Sequence, residues 1–249
     1  MFKKLFLVLV SSTLLCLPLV HASEKEIFLT TTDYPPYYGE KLKHNGFIAQ
    51  VIKQVLQQKG YRVKIEFYPW LRCKMMAEKG ESDGMFTLWY SVERERLFIF
   101  SEPIPPHNAI GFFKRKDMDI TFSTLGDLKP YAIGSVLGYA YSPEFMNAGL
   151  RVSTFYNDEN LITKLVQGRI DLAIIDRLQG KYLLKSYYQI QRDKFEFIEP
   201  PIEIRQQYLV ISKKNKNAQK IINDFNLGLK EFTNDGRLNR IFDDYNLRL

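Results

Sequence analysis

Short apolar runs and helically spaced apolar positions alternate along the first third of the chain. The runs have the length of strands, and the apolar residues between them recur at the spacing of one helix face. Asn45 has a side chain suited to a helix N-cap, and Gly60 and Gly80 stand where a helix is expected to end. Strands and helices in this order predict a mostly parallel sheet. The predicted strands are 27–32, 62–67 and 85–89, and the predicted helices are 47–56 and 71–79.

The same pattern restarts further along the chain. A strand is predicted at 131–136, a helix begins after Asn157, and the apolar run 170–175 is typical of a buried parallel strand. Gly80-Glu81-Ser82-Asp83 and Gly168-Arg169-Ile170-Asp171 each lie between a predicted helix and a predicted strand. This repeated arrangement predicts two related α/β lobes.

The ends of the predicted strands indicate where a ligand would bind. In open α/β sheets, ligands bind beyond the carboxyl ends of the strands. Trp89 and Asp176 each stand at the end of an apolar strand. We therefore expect both residues to face a shared cleft.

The first 22 residues have the three parts of a secretory signal. Lys3 and Lys4 precede an apolar stretch, and Val20-His21-Ala22 offers small residues at the two positions that a signal peptidase reads. A membrane anchor is the alternative interpretation. The apolar part is shorter than the ~20 residues that a span needs, and Pro18 interrupts it. We therefore predict export and cleavage after Ala22.

Composition and charge narrow the possible chemistry. The chain is 45% hydrophobic, which supplies enough apolar material for a core. The formal charge is +7, or 7 − 2 = +5 without Lys3 and Lys4, and acidic residues interleave with the basic ones, which disfavours nucleic-acid binding. Without Cys16 the chain keeps only Cys73, so no internal disulfide can form. No cluster of His and Cys is present, and we predict neither a metal site nor a cofactor.

Short motifs follow one another in a definite order along residues 26–248. They are Asp33-Tyr34-Pro35-Pro36-Tyr37, Gly46-Phe47, Trp70 onward to Gly80-Glu81-Ser82-Asp83-Gly84, Ser91-Val92-Glu93-Arg94, Phe100-Ser101-Glu102-Pro103, Gly168-Arg169-Ile170-Asp171 leading to Asp176, and Phe232-Thr233-Asn234-Asp235-Gly236-Arg237-Leu238 followed by Ile241-Phe242. In this order and spacing, the chain resembles family 3 of the bacterial solute-binding proteins, which deliver polar amino acids to ABC transporters.

The resemblance implies the type II periplasmic-binding-protein fold. This is an α/β fold of two lobes, each a mostly parallel sheet flanked by helices, with a hinge of two connecting strands. Residues 23–107 plus 208–249 would form the first lobe and 108–207 the second, with crossovers near 109–113 and 207–211. Ligand would bind in the cleft, and the lobes would close over it by a hinge motion.

The resemblance also implies roles for two charged residues. Arg94 matches the arginine that grips a ligand carboxylate, and its guanidinium presents a planar fork to both oxygens. Asp176 matches the carboxylate that grips a ligand ammonium. The alternatives are that Arg94 lies in a solvated turn, and that Arg177 or a helix N-terminus satisfies Asp176. The other expected ligand-binding residues are Tyr34, Tyr37, Trp70, Arg72, Thr87, Trp89, Gly138 and Tyr139.

Each of these further residues also has a structural interpretation. The aromatic residues could equally belong to the core, and Arg72 could equally lie on a helix surface. The chain departs from the family at Gly138-Tyr139, where relatives often have Gly followed by Ser or Thr. Ile48-Ala49-Gln50 also lacks the acidic residue that many relatives carry there. Divergent members of the family bind other small polar or anionic solutes.

The resulting expectation is a monomeric periplasmic binding protein and not an enzyme. It would capture a small polar solute, an amino acid or a related zwitterion or anion, and present it to an ABC-transporter permease in the inner membrane. Two alternatives stay open, a dehydratase-like enzyme on the same fold and a soluble sensor for a separate receptor. The chain lacks G-x-S-x-G, H-E-x-x-H and a Gly-rich phosphate loop, but a dehydratase needs none of them.

Overall fold

Ten strands form one sheet in the computed structural model, which describes residues 25–245. The strand order is β2-β1-β3-β10-β5-β8-β6-β7, with β4 beside β10 and β9 beside β5. The strands are β1 (Lys25–Thr31), β2 (Tyr61–Phe67), β3 (Gly84–Leu88), β4 (Phe98–Phe100), β5 (Ile104–Arg115), β6 (Ala132–Val136), β7 (Arg151–Phe155), β8 (Leu172–Asp176), β9 (Phe195–Phe197) and β10 (Glu203–Ser212).

Helices cover the two ends of this sheet. The apolar face of the first helix is buried against the strands and against the C-terminal helices, which belong to the same hydrophobic cluster. The helices are α1 (Phe47–Gln58), α2 (Trp70–Lys79), α3 (Val92–Glu95), α4 (Pro143–Asn147), α5 (Asp158–Val166), α6 (Arg177–Tyr187), α7 (Ala218–Asn234) and α8 (Arg237–Asp243).

Two groups of parallel strands define two lobes. β2, β1 and β3 are parallel to one another in the first lobe, as are β7, β6 and β8 in the second. The antiparallel strands β5 and β10 join the groups, since β10 pairs with β3 and β4 at one end and with β5 at the other. The predicted two-lobed α/β fold with two connecting strands is therefore confirmed. The lobe boundaries at 107/108 and 207/208 fall inside these strands and stay predictions.

The two lobes share a detailed arrangement around the repeated Gly-x-x-Asp segments. The Asp83 carboxylate accepts a hydrogen bond from the Phe28 backbone N–H, and the Asp83 N–H donates to the Phe28 carbonyl. Asp171 makes the same reciprocal pair with Ala132. In both lobes the aspartate thus joins the strand that follows it to the neighbouring parallel strand. The relation between the lobes that the sequence predicts is confirmed at the level of individual bonds.

Of the two helix N-caps that the sequence predicts, one is confirmed and the other is wrong. Asn157 caps α5, with its side chain accepting from the Asn160 N–H. Asn45 was expected to cap α1, but Gly46 takes that position, and the Asn45 amide donates to the Glu40 carbonyl instead. Gly46 has φ of +89°, and a Cβ there would lie 2.5 Å from Tyr38 Cα. The close approach of these two backbone segments requires glycine at the helix start.

The predicted export segment, residues 1–22, lies outside the described range. Between residues 25 and 245, no helix is long and apolar enough to cross a membrane. Over that same range, no group of three or more His, Cys, Asp and Glu residues is placed to hold a metal ion. Cys73 is a free, buried thiol in α2.

Candidate functional site

A cleft lies where the carboxyl ends of the two parallel groups face each other. Parallel strands present their carboxyl ends at one edge of a sheet, so the residues that follow them gather there. Tyr34, Trp70 and Trp89 follow β1, β2 and β3, while Tyr139, Asp158 and Asp176 follow or end β6, β7 and β8.

The cleft contains two adjoining cavities. The inner cavity has a volume of about 20 Å³ and is lined by Tyr34, Trp70, Thr87, Trp89, Arg94 and Tyr139. The outer cavity has a volume of about 290 Å³, and its polar lining includes Asp33, Glu40, Asp158, Glu159 and Gln179. Trp70 and Tyr139 line both cavities, so the two spaces are neighbours along one path. Six of the predicted ligand-binding residues therefore come together at the inner cavity.

Arg94 lies at the inner cavity and is 5% exposed. It sits on α3, whose N-cap Ser91 accepts a hydrogen bond from the Arg94 N–H. Nη1 donates to the Trp89 carbonyl at 2.8 Å and Nη2 to the Gly138 carbonyl at 3.1 Å, and both acceptors are neutral. Burial, and secondarily the positive charge of Arg205, lowers the pKa of Arg94 to about 10. A buried guanidinium of this kind is suited to receive an anion.

Gly138 links the two lobes over the inner cavity. Its carbonyl accepts from the Trp70 indole N–H at 3.3 Å as well as from Arg94. Gly138 has φ of +82°, and a Cβ there would lie 2.8 Å from a methyl carbon of Leu71. Glycine is therefore needed for this contact, which holds the lobes in a closed arrangement.

Aromatic rings form the walls of the cleft. The Tyr139 ring meets Trp70 and Trp89 edge-on, with centroid separations of 5.8 and 5.3 Å. The Trp89 indole N–H donates to Asn108 Oδ1 at 2.9 Å, and the Thr87 hydroxyl donates to the Tyr38 hydroxyl at 2.6 Å. Each wall residue is thus fixed by a hydrogen bond or by an aromatic contact. These rings can contact the apolar part of a ligand or a cation.

Asp176 is buried and already has three hydrogen-bond donors within the chain. Oδ1 accepts from the Tyr37 hydroxyl and from the Gln179 N–H, both at 2.9 Å, and Oδ2 accepts from the Ala109 N–H at 2.9 Å. It is the N-cap of α6. Burial raises the pKa of Asp176 to about 6, although these donors act in the opposite direction. Asp176 lines neither the inner nor the outer cavity.

Three further predicted residues also lie outside the lining of these cavities: Gly138, whose carbonyl bonds to Trp70 and Arg94 beside the inner cavity, and Tyr37 and Arg72. Tyr37 is buried in the core of the first lobe, with its ring against Phe47 and its hydroxyl on Asp176. Arg72 is exposed on α2, and its guanidinium lies over the Tyr68 ring at 4.3 Å. The structure therefore does not bring Tyr37 or Arg72 to the lining of either cavity.

Asp158 is the main cleft residue that the sequence reasoning missed. It is the first residue of α5 and is buried, and its Oδ2 accepts from the Tyr139 hydroxyl at 2.6 Å. Within residues 25–245, its Oδ1 has no hydrogen-bond partner. Burial, and to a smaller extent the charge of Asp176, raises the pKa of Asp158 to about 6. The signal that could have found it is its place just beyond β7, which is the same kind of place that identified Asp176.

The outer cavity is acidic. Its lining includes the carboxylates of Asp33, Glu40, Asp158 and Glu159 and no lysine, arginine or histidine. Apart from Asp158, these carboxylates are exposed. The cleft thus has a cationic inner end at Arg94 and an anionic outer part, which is an arrangement that suits a molecule with separated charges of opposite sign.

Comparisons with known proteins agree with this architecture. The family model for bacterial extracellular solute-binding proteins, family 3, matches residues 27–248, which is most of the chain. The L-cystine-binding protein TcyJ of Escherichia coli (strain K12) is 25% identical over 211 residues, which is 82% of this chain and 76% of TcyJ. The L-cystine-binding protein TcyA of Bacillus subtilis (strain 168) is 24% identical over 216 residues, which is 85% of this chain and 77% of TcyA.

A solved structure shows the same fold. The crystal structure of a mutant of ArgBP from T. maritima matches with a TM-score of 0.74 at 18% identity, covering 89% of this chain and 95% of that one. At this level of identity the likeness shows the fold alone. The α/β sheet with two lobes around a central cleft is therefore shared with proteins of known structure.

Proposed function

The chain belongs to family 3 of the bacterial extracellular solute-binding proteins, and on that basis we propose that its cleft captures a small zwitterion, an amino acid or a close chemical relative. The lobes close over this solute and present it to an ABC-transporter permease. The family consists of binding proteins, so capture and release are sufficient for the function and no chemical step is needed.

Arg94 is the single observation that carries this proposal. It is a buried guanidinium at the inner end of a cleft, and both of its hydrogen-bond acceptors are neutral carbonyls. Burying a charge is costly unless an opposite charge or good hydrogen bonds compensate. A ligand carboxylate beside Arg94 would supply that compensation through two parallel N–H···O bonds.

Ligand entry requires the lobes to move apart. The inner cavity of about 20 Å³ is only slightly larger than the ~10–15 Å³ that one water molecule needs. A carboxylate therefore reaches Arg94 only after the Gly138 contacts with Trp70 and Arg94 have opened. The two connecting strands β5 and β10 supply the hinge for this motion.

The family resemblance assigns the ligand ammonium to Asp176. In the closed arrangement, the Tyr37 hydroxyl and two backbone N–H groups already donate to its carboxylate. An ammonium group at Asp176 would have to take the place of the Tyr37 hydroxyl. The contact remains part of the proposal. Tyr37 and Asp176 belong to different lobes, so opening of the lobes separates them and gives the ammonium group access to the carboxylate.

The proposal includes a location and a working state. The export segment is cleaved after Ala22, the mature chain acts as a monomer in the periplasm, and the partner permease lies in the inner membrane. The relatives TcyJ and TcyA are L-cystine-binding proteins, so cystine belongs in the first set of test ligands together with the common amino acids.

Isothermal titration calorimetry of an Arg94→Ala variant tests the anion contact. We expect the affinity for whichever amino acid binds the native protein to fall at least roughly tenfold, because a charge-assisted pair contributes about 1.5–3 kcal/mol. Arg96→Ala is the matched control, since Arg96 is an exposed arginine two residues away. An Arg94→Ala variant that folds and keeps native affinity would remove the proposed anion site. Arg94→Lys then shows whether the planar fork is needed or only the charge.

A further inference from the structure

We infer that Asp158, together with Tyr34 and Gln179, forms a receiving site for a cationic side-chain nitrogen, so that the captured amino acid carries, besides its α-ammonium, a second ammonium or a guanidinium group in the outer cavity. This inference rests on the proposed function and adds the chemical class of the ligand to it. The nitrogen donates hydrogen bonds to side-chain oxygens that the chain itself leaves without partners.

Three buried oxygen atoms carry the argument. Tyr34, Asp158 and Gln179 are 4%, 5% and 1% exposed. In residues 25–245, the Tyr34 hydroxyl, Asp158 Oδ1 and Gln179 Oε1 each have no hydrogen-bond partner. Buried polar atoms are rarely left in this state, because each unmade bond costs free energy.

The three residues line the two adjoining cavities of the cleft. Asp158 and Gln179 both line the outer cavity, and Tyr34 lines the adjoining inner cavity. The carboxylate and carboxamide oxygens can only accept hydrogen bonds, and the phenol oxygen can also accept. A group with several N–H donors and a positive charge satisfies all three, which a carboxylate or an alkyl group cannot do.

Asp158 is better placed for this role than the other buried carboxylate of the second lobe. Asp176 accepts from Tyr37, Ala109 and Gln179 and lines neither cavity. Asp158 Oδ2 accepts from the Tyr139 hydroxyl, the Gln179 side chain also acts to lower the pKa of Asp158, and within residues 25–245 Oδ1 has no hydrogen-bond partner. Asp158 also lines the outer cavity, so a cation there would compete with fewer internal bonds than at Asp176.

The surroundings of Asp158 also favour a positive charge. The exposed carboxylates of Asp33, Glu40 and Glu159 line the same cavity, and no basic side chain lines it. Trp70 and Tyr139 present aromatic rings between this cavity and Arg94. Aromatic faces attract cations, so the ring walls add to the attraction of the carboxylates. A solute with its carboxylate at Arg94 and a cationic nitrogen near Asp158 matches the cleft along its length.

Matched amino acids with and without a cationic side chain test the inference. We would titrate the native protein with L-lysine and L-arginine and with their neutral counterparts L-norleucine and L-citrulline, using calorimetry, with putrescine as a cation that lacks a carboxylate. We expect each cationic amino acid to bind at least roughly tenfold more tightly than its neutral counterpart. In Asp158→Asn this preference should shrink to within about twofold.

The control variant is Asp119→Asn, which makes the same substitution at an exposed carboxylate of the second lobe that lines neither cavity. Its preference for cations should stay within about twofold of the native value. If Asp119→Asn and Asp158→Asn lose the preference equally, general attraction explains it and the site at Asp158 is wrong.

The remaining outcomes separate this inference from the proposed function. Equal binding of L-lysine and L-norleucine by the native protein overturns the cation site, and this comparison does not depend on any variant folding. Binding of neutral amino acids or cystine that depends on Arg94, without preference for cations, leaves the proposed function standing and overturns only the inference. Failure of the native protein to bind any amino acid or putrescine overturns both.

Discussion

Asp158 and Asp176 occupy similar places in the second lobe but differ in the number of hydrogen bonds that the chain donates to them. Both lie at the start of a helix beyond a parallel strand, both are buried, and burial raises the pKa of both to about 6. Asp176 accepts three hydrogen bonds, one of them from Tyr37 of the first lobe. Asp158 accepts one, from Tyr139, and keeps one oxygen without a partner in the described chain.

This difference separates a carboxylate whose hydrogen bonds are already made in the closed arrangement from one that keeps an oxygen without a partner there. Removing Asp176 would leave a hydroxyl and two backbone N–H groups buried without an acceptor, whereas removing the charge of Asp158 would relieve a desolvation cost. Burial alone therefore does not identify a ligand contact. The number of internal donors matters as well, because a ligand group at Asp176 must take the place of the Tyr37 hydroxyl, whereas Asp158 Oδ1 has no partner in the described chain.

The same Asp→Asn substitution at the two positions should have opposite effects on stability. Asp176→Asn should show the larger one, a loss of roughly 2–3 kcal/mol in the free energy of unfolding. The amide has only one accepting oxygen, so its NH₂ group must face either the Ala109 N–H or the donors on Oδ1. Urea unfolding at about pH 8 measures the change. Unchanged stability would contradict the structural role of Asp176.

Asp158→Asn should stabilise the protein above pH 7 by on the order of 1–3 kcal/mol. The pKa of Asp158 is about 6 in the folded protein, above its ordinary value of 3.8. The folded state therefore binds the proton more tightly, and stability falls as pH rises through the range between these values. In Asp158→Asn the free energy of unfolding should not fall over this pH range. Near pH 4 the variant and the native protein should have the same free energy of unfolding. Urea unfolding across pH checks this, and a destabilised variant at neutral pH would contradict it.

Tyr139→Phe should have a smaller effect, about 1 kcal/mol or less at neutral pH. The Tyr139 hydroxyl donates to Asp158 and lowers the pKa of that carboxyl. Without this donor the pKa of Asp158 should rise further above 6, and the decline of stability should continue to a higher pH. A pH titration of Asp158 followed by NMR measures the shift directly, with Tyr131→Phe as a control, since Tyr131 precedes β6 and Tyr139 follows it at the other end of the strand. An unchanged or lowered pKa would show that the hydrogen bond does not act on Asp158.

Much of the fold could be predicted because the deciding signals are local. Strand runs, helical spacing and the glycines after α2 and α5 lie within a few residues of the elements they define. The repeated segments at Gly80 and Gly168 predicted two related lobes, and the bonds of Asp83 and Asp171 confirm it. Asn45 failed as a cap because the contact between Gly46 and Tyr38 is a tertiary feature.

The site was only partly accessible from the sequence. The family resemblance implied Arg94 through the Ser91-Val92-Glu93-Arg94 motif, and the structure places it at the inner cavity, while its role in binding stays a prediction. The donors on Asp176 include Tyr37, which is 139 residues away in the chain, so sequence spacing could not show how many bonds this carboxylate already has. Asp158 was missed because the neighbouring Asn157 carried the local signal of a helix cap.

The chain contains two tryptophans, Trp70 and Trp89, and both line the inner cavity. Their intrinsic fluorescence therefore arises entirely from the walls of the cleft, with no contribution from tryptophan elsewhere. Opening of the lobes would break the bond from the Trp70 indole to Gly138 and change the polarity around that ring. The emission spectrum is consequently an optical reporter of cleft opening in unlabelled protein, and a stopped-flow trace would follow the motion in real time.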